Sequence, residues 1–186
     1  MTPINLIDGI AERIEGMMKY YRYPESDAPE LARPPQVYRQ YLPAKKYEGR
    51  DAADYPFIVV QLGDVEIVEI AEAAGYPVAT VAIVCGGYDD SDDYQGWRIP
   101  AGLATHIMME LQQRPEFDQF SLELPLSLNF PEDQPYPQWL ALLSTRWRLP
   151  SVGREVPTAV YTGMYGETLP QGAGYASAAV IKIIRE

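Results

Sequence analysis

The chain has 186 residues, 47% of them hydrophobic, with a formal net charge of −11 and a pI near 4.5. A chain of this size buries roughly 70% of its unfolded surface on folding, so it carries a true core. Its acidic balance argues against a protein whose main work is to coat nucleic acid, which takes surplus Lys and Arg. The single cysteine, Cys85, excludes an intrachain disulfide and any cysteine-rich zinc site.

Ile7, Ile10, Ile14, Met17 and Tyr21 fall at steps of three and four and predict an N-terminal helix with one apolar stripe. Thr2 is its expected N-cap, with Pro3 at the first helical position. From about 23 to 54 the chain reads as a long loop. Pro24, Pro29, Pro34, Pro35 and Pro43 interrupt it, and only Val37 to Leu42 could form a short edge strand.

A strand is expected over Pro56 to Leu62, continued by Val65, Ile67, Val68 and Ile70. Gly75-Tyr76-Pro77 reads as a turn. Val78 to Val84 reads as a second strand closed by Gly86-Gly87, the two forming an antiparallel pair. Cys85 belongs to this apolar run and is expected to be a small buried residue. A second helix is predicted over about Pro100 to Gln113, with Leu103, Ile107 and Leu111 on one face and Pro115 limiting its end. Phe117 to Leu124 alternates, placing Phe120, Leu122 and Leu124 on one side. After a Pro-rich loop comes a strand over Trp139 to Leu149, where Ala141, Leu143, Thr145, Trp147 and Leu149 should face the core.

Pro150 ends the compact part, giving a domain of 1–150 and a C-terminal extension of 151–186 rich in Gly, Pro and small residues. Within the extension only Val180-Ile181-Lys182-Ile183-Ile184 reads as a strand. Pairing with a neighbouring subunit's sheet and folding back onto its own sheet are both open for it.

A search for chemistry finds little. The only histidine, His106, has no partner nucleophile or orienting group in the pattern. No phosphate loop, dinucleotide fingerprint, HExxH, CxxC or GxSxG motif occurs. Asp89-Asp90-Ser91-Asp92-Asp93 could hold a cation, but its spacing is not that of an EF-hand, and a solvated acidic loop is the expectation. No catalytic, cofactor-binding or metal-ligating residue is therefore expected, and the chain reads as a structural protein rather than an enzyme. No run approaches the roughly 20 apolar residues that span a membrane, and the start lacks the basic-then-apolar order of a signal peptide.

Charge is segregated. From Asp51 to Trp97 there are ten Asp and Glu and no Lys or Arg, while eight of the fifteen basic residues lie in the first fifty positions. Such a distribution suits an acidic face meeting a basic arm, a negatively lined channel, or a solvated sheet face. Tyr20, Tyr21, Tyr23, Tyr38, Tyr41, Tyr47 and Tyr55 crowd the first part of the chain, a composition common at protein interfaces.

One further pattern runs from Tyr55-Pro56-Phe57-Ile58-Val59-Val60 through Gly86-Gly87-Tyr88-Asp89 and Gly96-Trp97. It continues to Asp133-Gln134-Pro135-Tyr136-Pro137-Gln138-Trp139 and Arg146-Trp147-Arg148-Leu149-Pro150. In order and spacing it resembles the tail terminator, or tail completion, proteins of long-tailed bacteriophages over roughly Pro56 to Pro150. The resemblance implies an α+β fold: a mixed or antiparallel sheet with two main helices packed on one face, plus the long loop and C-terminal arm. It also implies a hexameric ring that caps the tail tube and joins it to the head connector or stopper. DNA would pass through the lumen without specific binding. The location would be the head–tail interface of a virion assembled in the host cytoplasm, with no membrane contact, no cofactor and no catalytic residue to carry over. A head–tail adaptor or stopper, or a minor tail protein, is the neighbouring alternative. A metal-dependent enzyme using residues 89–93 and a monomeric binding module are the alternatives from other classes.

Overall fold

The computed structural model of the chain describes residues 2–21, 34–43, 55–71 and 74–150. Most of the expected 23–54 loop and the whole strand expected at Val180 to Ile184 lie outside them. The chain divides into two compact units, Met1–Val152 and Gly153–Glu186, and the second also lies outside the described residues.

Helix α1 spans Pro3–Met18. Thr2 caps it reciprocally: its Oγ1 accepts the Asn5 N–H at 3.4 Å, and its own N–H donates to Asn5 Oδ1 at 2.8 Å. Two of the four donors that a helix N-terminus leaves open are thus answered. The buried face is Leu6, Ile7, Ile10, Ala11, Ile14 and Met18, with Met17 and Tyr21 half-buried at its margin.

Strand β1 (Gln36–Arg39) lies parallel to β2 (Phe57–Ala71), and β3 (Ala74–Tyr88) is antiparallel to β2. Helix α2 (Arg98–Gln113) crosses over. Strands β4 (Glu116–Phe117), β5 (Phe120–Asn129) and β6 (Gln138–Arg148) complete a six-stranded mixed sheet of order β1-β2-β3-β6-β5-β4. The fold is α+β, with both helices on one face of the sheet. Their apolar stripes meet Ile58 and Val60 of β2, Ala79, Val81, Ile83 and Cys85 of β3, and Ala141, Leu143 and Trp147 of β6 in one core. Burial pushes the Cys85 thiol up, so it is an inert thiol in the interior.

Strand β6 keeps strict alternation, with Trp139, Ala141, Leu143, Thr145 and Trp147 inward. Its one polar inward residue is satisfied: Thr145 Oγ1 donates to the Val81 carbonyl at 2.8 Å and accepts from Trp147 Nε1 at 2.9 Å.

The structure departs from the sequence expectations at several points. Gly75-Tyr76-Pro77 is not a turn but part of β3, paired with Glu69, Val68 and Ile67. Proline is tolerated there because β6 has almost run out: the Pro77 carbonyl accepts the Leu149 N–H at 2.9 Å, beyond the last ladder pair, Val78 with Arg148. Gly86-Gly87 does not close the strand either, since β3 runs to Tyr88. At Gly86 the Phe57 ring occupies the space a Cβ would take, so the glycine marks a close approach and not an end.

The strand expected over Phe117 to Leu124 is two strands. Asp118 adopts a left-handed conformation (φ 50°) between Phe117 and Phe120, which pair directly. Strand β5 then continues to Asn129, into the expected loop. Between Glu123 and Ser127 its register against β6 shifts by two residues, and this irregularity leaves Leu124 75% exposed instead of buried. Helix α2 starts at Arg98, two residues earlier than the expected start at Pro100. Proline in a first turn costs little, because its missing N–H has no intrahelical acceptor there.

Candidate docking interface

Strand β3 ends at Tyr88 opposite Gln138, where β6 begins, so the segment after β3 and the segment before β6 leave the sheet side by side. Three hydrogen bonds tie them. The Asp89 N–H donates to the Pro137 carbonyl at 3.0 Å, Trp139 Nε1 donates to the Asp89 carbonyl at 3.1 Å, and the Tyr136 hydroxyl donates to the Asp90 carbonyl at 2.9 Å. Three motifs separated in sequence, around 86–89, 96–97 and 133–139, thus form one end of the molecule.

Gly96 is buried in this junction. A Cβ there would overlap the Trp139 indole and stand 2.5 Å from the Asp89 Cβ. Both neighbours are held by the bond they share, so neither can yield cheaply. Gly96→Ala is expected to cost about 1–3 kcal/mol, as overpacking does. It should also raise hydrogen exchange at the Asp89 N–H while leaving the Cys85 N–H, deep in β3, protected. Unchanged exchange at Asp89 would mean that the junction is looser than its geometry implies.

The surface presented here is aromatic. Tyr94 is 62% exposed, Tyr136 47%, Phe130 44% and Trp97 43%. They pair across the two segments: Tyr94 with Tyr136 at 5.5 Å between centroids, and Trp97 edge-on to Phe130 at 6.3 Å and 86°. Tyr136 also meets the buried Trp139 edge-on at 6.2 Å. Tyr94 is held in the left-handed region (φ 56°), which a bulky residue rarely adopts. Desolvation pushes the Tyr136 phenol up, helped by Tyr94, Asp92, Asp90 and Asp89, so at neutral pH it remains a hydroxyl and donates to Asp90. Solvated aromatic side chains that hold one another in place lose little freedom on binding, which suits them to a protein interface.

The acidic run 89–93 forms the flank of this surface and shapes it. Asp89 Oδ1 accepts the Ser91 N–H at 3.0 Å. Asp93 Oδ1 accepts the Ser91 hydroxyl at 2.7 Å and the Gln95 N–H at 3.0 Å. These bonds, the Ser91 hydroxyl foremost, hold the Asp93 carboxyl below its ordinary range. Among the described residues no three His, Cys, Asp or Glu side chains are placed to hold a metal ion.

His106 is not part of this end. It sits in α2 with its ring 5.5 Å from that of Tyr21. The tyrosines of the first part do not form one cluster. Tyr20 and Tyr41 are exposed, Tyr21 and Tyr38 are half-buried, and Tyr55 packs on Phe57 and Tyr88. Tyr23 and Tyr47 lie outside the described residues. The acid-rich segment is also divided. Asp64, Glu66 and Glu69 lie toward one end of the β2–β3 hairpin and residues 89–93 beyond the other, about 30–45 Å apart along the strand. Tyr94 and Phe130, central to this surface, were not singled out by sequence. The available signal was local: each is an aromatic residue beside a Gly or Pro turn, in Tyr94-Gln95-Gly96-Trp97 and Phe130-Pro131.

No protein-family model matches the chain, and a search of curated proteins returns no match. Among the described residues no helix is long and apolar enough to cross a membrane.

Proposed function

We propose that the protein is a structural subunit that works by assembly, as the ring-forming terminator of a long-tailed phage tail. The observation that carries this is the aromatic end built from Tyr94, Trp97, Phe130 and Tyr136, an exposed cluster of mutually packed rings with an acidic flank. Three of the motifs on which the family resemblance rests meet there. Such a surface suits end-on docking to the last ring of a tail tube. A ring seated this way hides the edge that another tube subunit would use and offers an unlike outer face to the head connector, so polymerisation stops. Rotationally closed, head-to-tail contacts make the ring. The chain's net negative charge lets DNA traverse a lumen without sticking.

Light scattering and negative-stain imaging of the purified protein over a range of concentrations, with and without tail tubes, test the reading. Rings of about six subunits, or rings formed at tube ends, are the expected result. Rings that bind the head connector but ignore the tube would move the assignment to a head–tail adaptor or stopper. A strict monomer that leaves tube ends bare would overturn it.

A further inference from the structure

Strand β2 is covered on its outer edge only at its start. Strand β1 pairs with it from Phe57 to Val60 and stops. Gln40 then leaves the strand with a left-handed backbone (φ 66°), and its side-chain amide takes over the ladder. Oε1 accepts the Leu62 N–H at 2.9 Å, and Nε2 donates to the Leu62 carbonyl at 3.4 Å. Beyond Leu62, no backbone among the described residues pairs with this edge. A register shift follows between Leu62 and Val65, after which Val65 opposes Ala79 and Ile67 opposes Pro77. By the alternation of an antiparallel ladder, the N–H and C=O of Val65, Ile67 and Glu69 face the open side, as those of Leu62 do.

The side chains along this edge are unusual for an unpaired strand. Val65 and Ile67 continue the sheet's apolar face past the helices and are 48% and 74% exposed. Asp64 and Glu66 are interspersed with them, Glu69 follows on the face of Val65 and Ile67, and no basic residue falls between Asp51 and Trp97. Between its two register irregularities this edge offers five residues, Val65 to Glu69, whose acids keep like acidic strands away while leaving the edge open to a strand that carries Lys and Arg.

The chain holds a segment of matching chemistry. Val180-Ile181-Lys182-Ile183-Ile184-Arg185 has the same alternation with the opposite charge. Laid parallel to β2, as β1 already is, it sets Ile181 beside Val65, Lys182 beside Glu66, Ile183 beside Ile67, Ile184 beside Val68 and Arg185 beside Glu69. All three apolar contacts and both charge pairs are met in this register. The antiparallel register with Arg185 beside Glu66 and Lys182 beside Glu69 also meets both charge pairs, but it sets Glu186 against Val65, reverses the direction of β1, and would bring Ile183 to Val68 and not to Ile67.

We propose that the edge of β2 from Val65 to Glu69 receives residues 181–185 of a second copy of this chain as an added parallel strand. The inference rests on the reading of the protein as a self-assembling subunit and supplies the contact that would join one subunit to the next. Main-chain hydrogen bonds give the affinity, the Glu69–Arg185 pair fixes the register, and Lys182 would join the ion pair that Glu66 already makes with Arg146 at 2.8 Å.

Disulfide trapping tests it. Two full-length variants of different tag size, Ile67→Cys and Ile183→Cys, are mixed and oxidised; Cys85 is buried and does not compete. The expected result is a cross-linked heterodimer, and none when Val68→Cys replaces Ile67→Cys, because residue 68 points to the other face. Arg185→Glu should weaken association about three- to tenfold, and Glu69→Arg in the partner should restore it. A bond that forms only within one chain of the doubly substituted protein would overturn the proposal, since the segment would then serve its own sheet. Rings without any cross-link would also overturn it while leaving the terminator reading intact. Cross-linked pairs that never close into rings would keep the strand exchange and sink the ring.

Discussion

Replacing Trp147 by alanine is expected to remove about 3–5 kcal/mol of stability, the range for a buried aromatic truncated in a packed core. Single domains are stable by only about 5–15 kcal/mol, so the variant should fold marginally or not at all at room temperature. Trp147 is fully buried. The Phe117 ring packs edge-on to it at 5.4 Å, and Phe117 in turn stands 5.3 Å from Phe120. That ring also fills the place where a Cβ on Gly9 would lie, so the truncation loosens the contact of α1 with the β4 end of the sheet as well. The indole has a polar role too, since its N–H answers Thr145 Oγ1 inside the core. Thr145→Val separates the two contributions. It keeps the volume but leaves the indole N–H unanswered, at a cost of about 1–3 kcal/mol. Urea unfolding followed by circular dichroism should rank Trp147→Ala well below Thr145→Val, with both below the parent. A loss under about 1 kcal/mol for Trp147→Ala would show that the core closes around the gap, contrary to the packing described.

Trp147 also shows what a sequence reveals readily. From Trp139 to Leu149 one parity is apolar except for Thr145, while the other turns polar from Ser144 onward, so the inward set follows from comparing the two parities, and the structure buries every member of it. The stripe of α1 and the face of α2 are legible for the same reason. Glycines are not. Gly9, Gly86 and Gly96 each admit an aromatic ring or indole, of Phe117, Phe57 and Trp139 respectively. A sequence offers no means of telling such a close approach from a turn, because the residue that needs the space is distant in the chain. The irregular register of β5 is hidden likewise, and with it the exposure of Leu124. So is the order of the sheet. Nothing in β6 says that it lies between β3 and β5, or in β1 that it runs parallel to β2. The docking end depends on that order. Only because β3 and β6 are neighbours do Tyr94 and Tyr136, forty-two positions apart, meet in a tilted ring contact.

Trp97→Ala combined with Phe130→Ala is expected to abolish assembly without unfolding the domain. The two side chains are 43% and 44% exposed, and they contact each other edge-on. Removing them leaves the shared core and the three hydrogen bonds of the junction untouched, so the cost is their mutual contact and their buried parts, about 1–3 kcal/mol, and the domain should stay folded. At an interface the same side chains are anchors. Truncating an aromatic hot spot costs about 2 kcal/mol or more, roughly thirtyfold in affinity. Ring formation, or sedimentation with tail tubes, should therefore fall by at least that factor. Ile4→Ala supplies the comparison: Ile4 is 67% exposed on α1 and has no place in the aromatic end, so its loss should alter neither property. If the double variant assembles as the parent does, this end is not the docking surface, and its exposed rings serve only to brace the two segments against each other. If assembly is lost because the domain unfolds, the rings belong to the fold, and the separation between a stable sheet and a binding end fails.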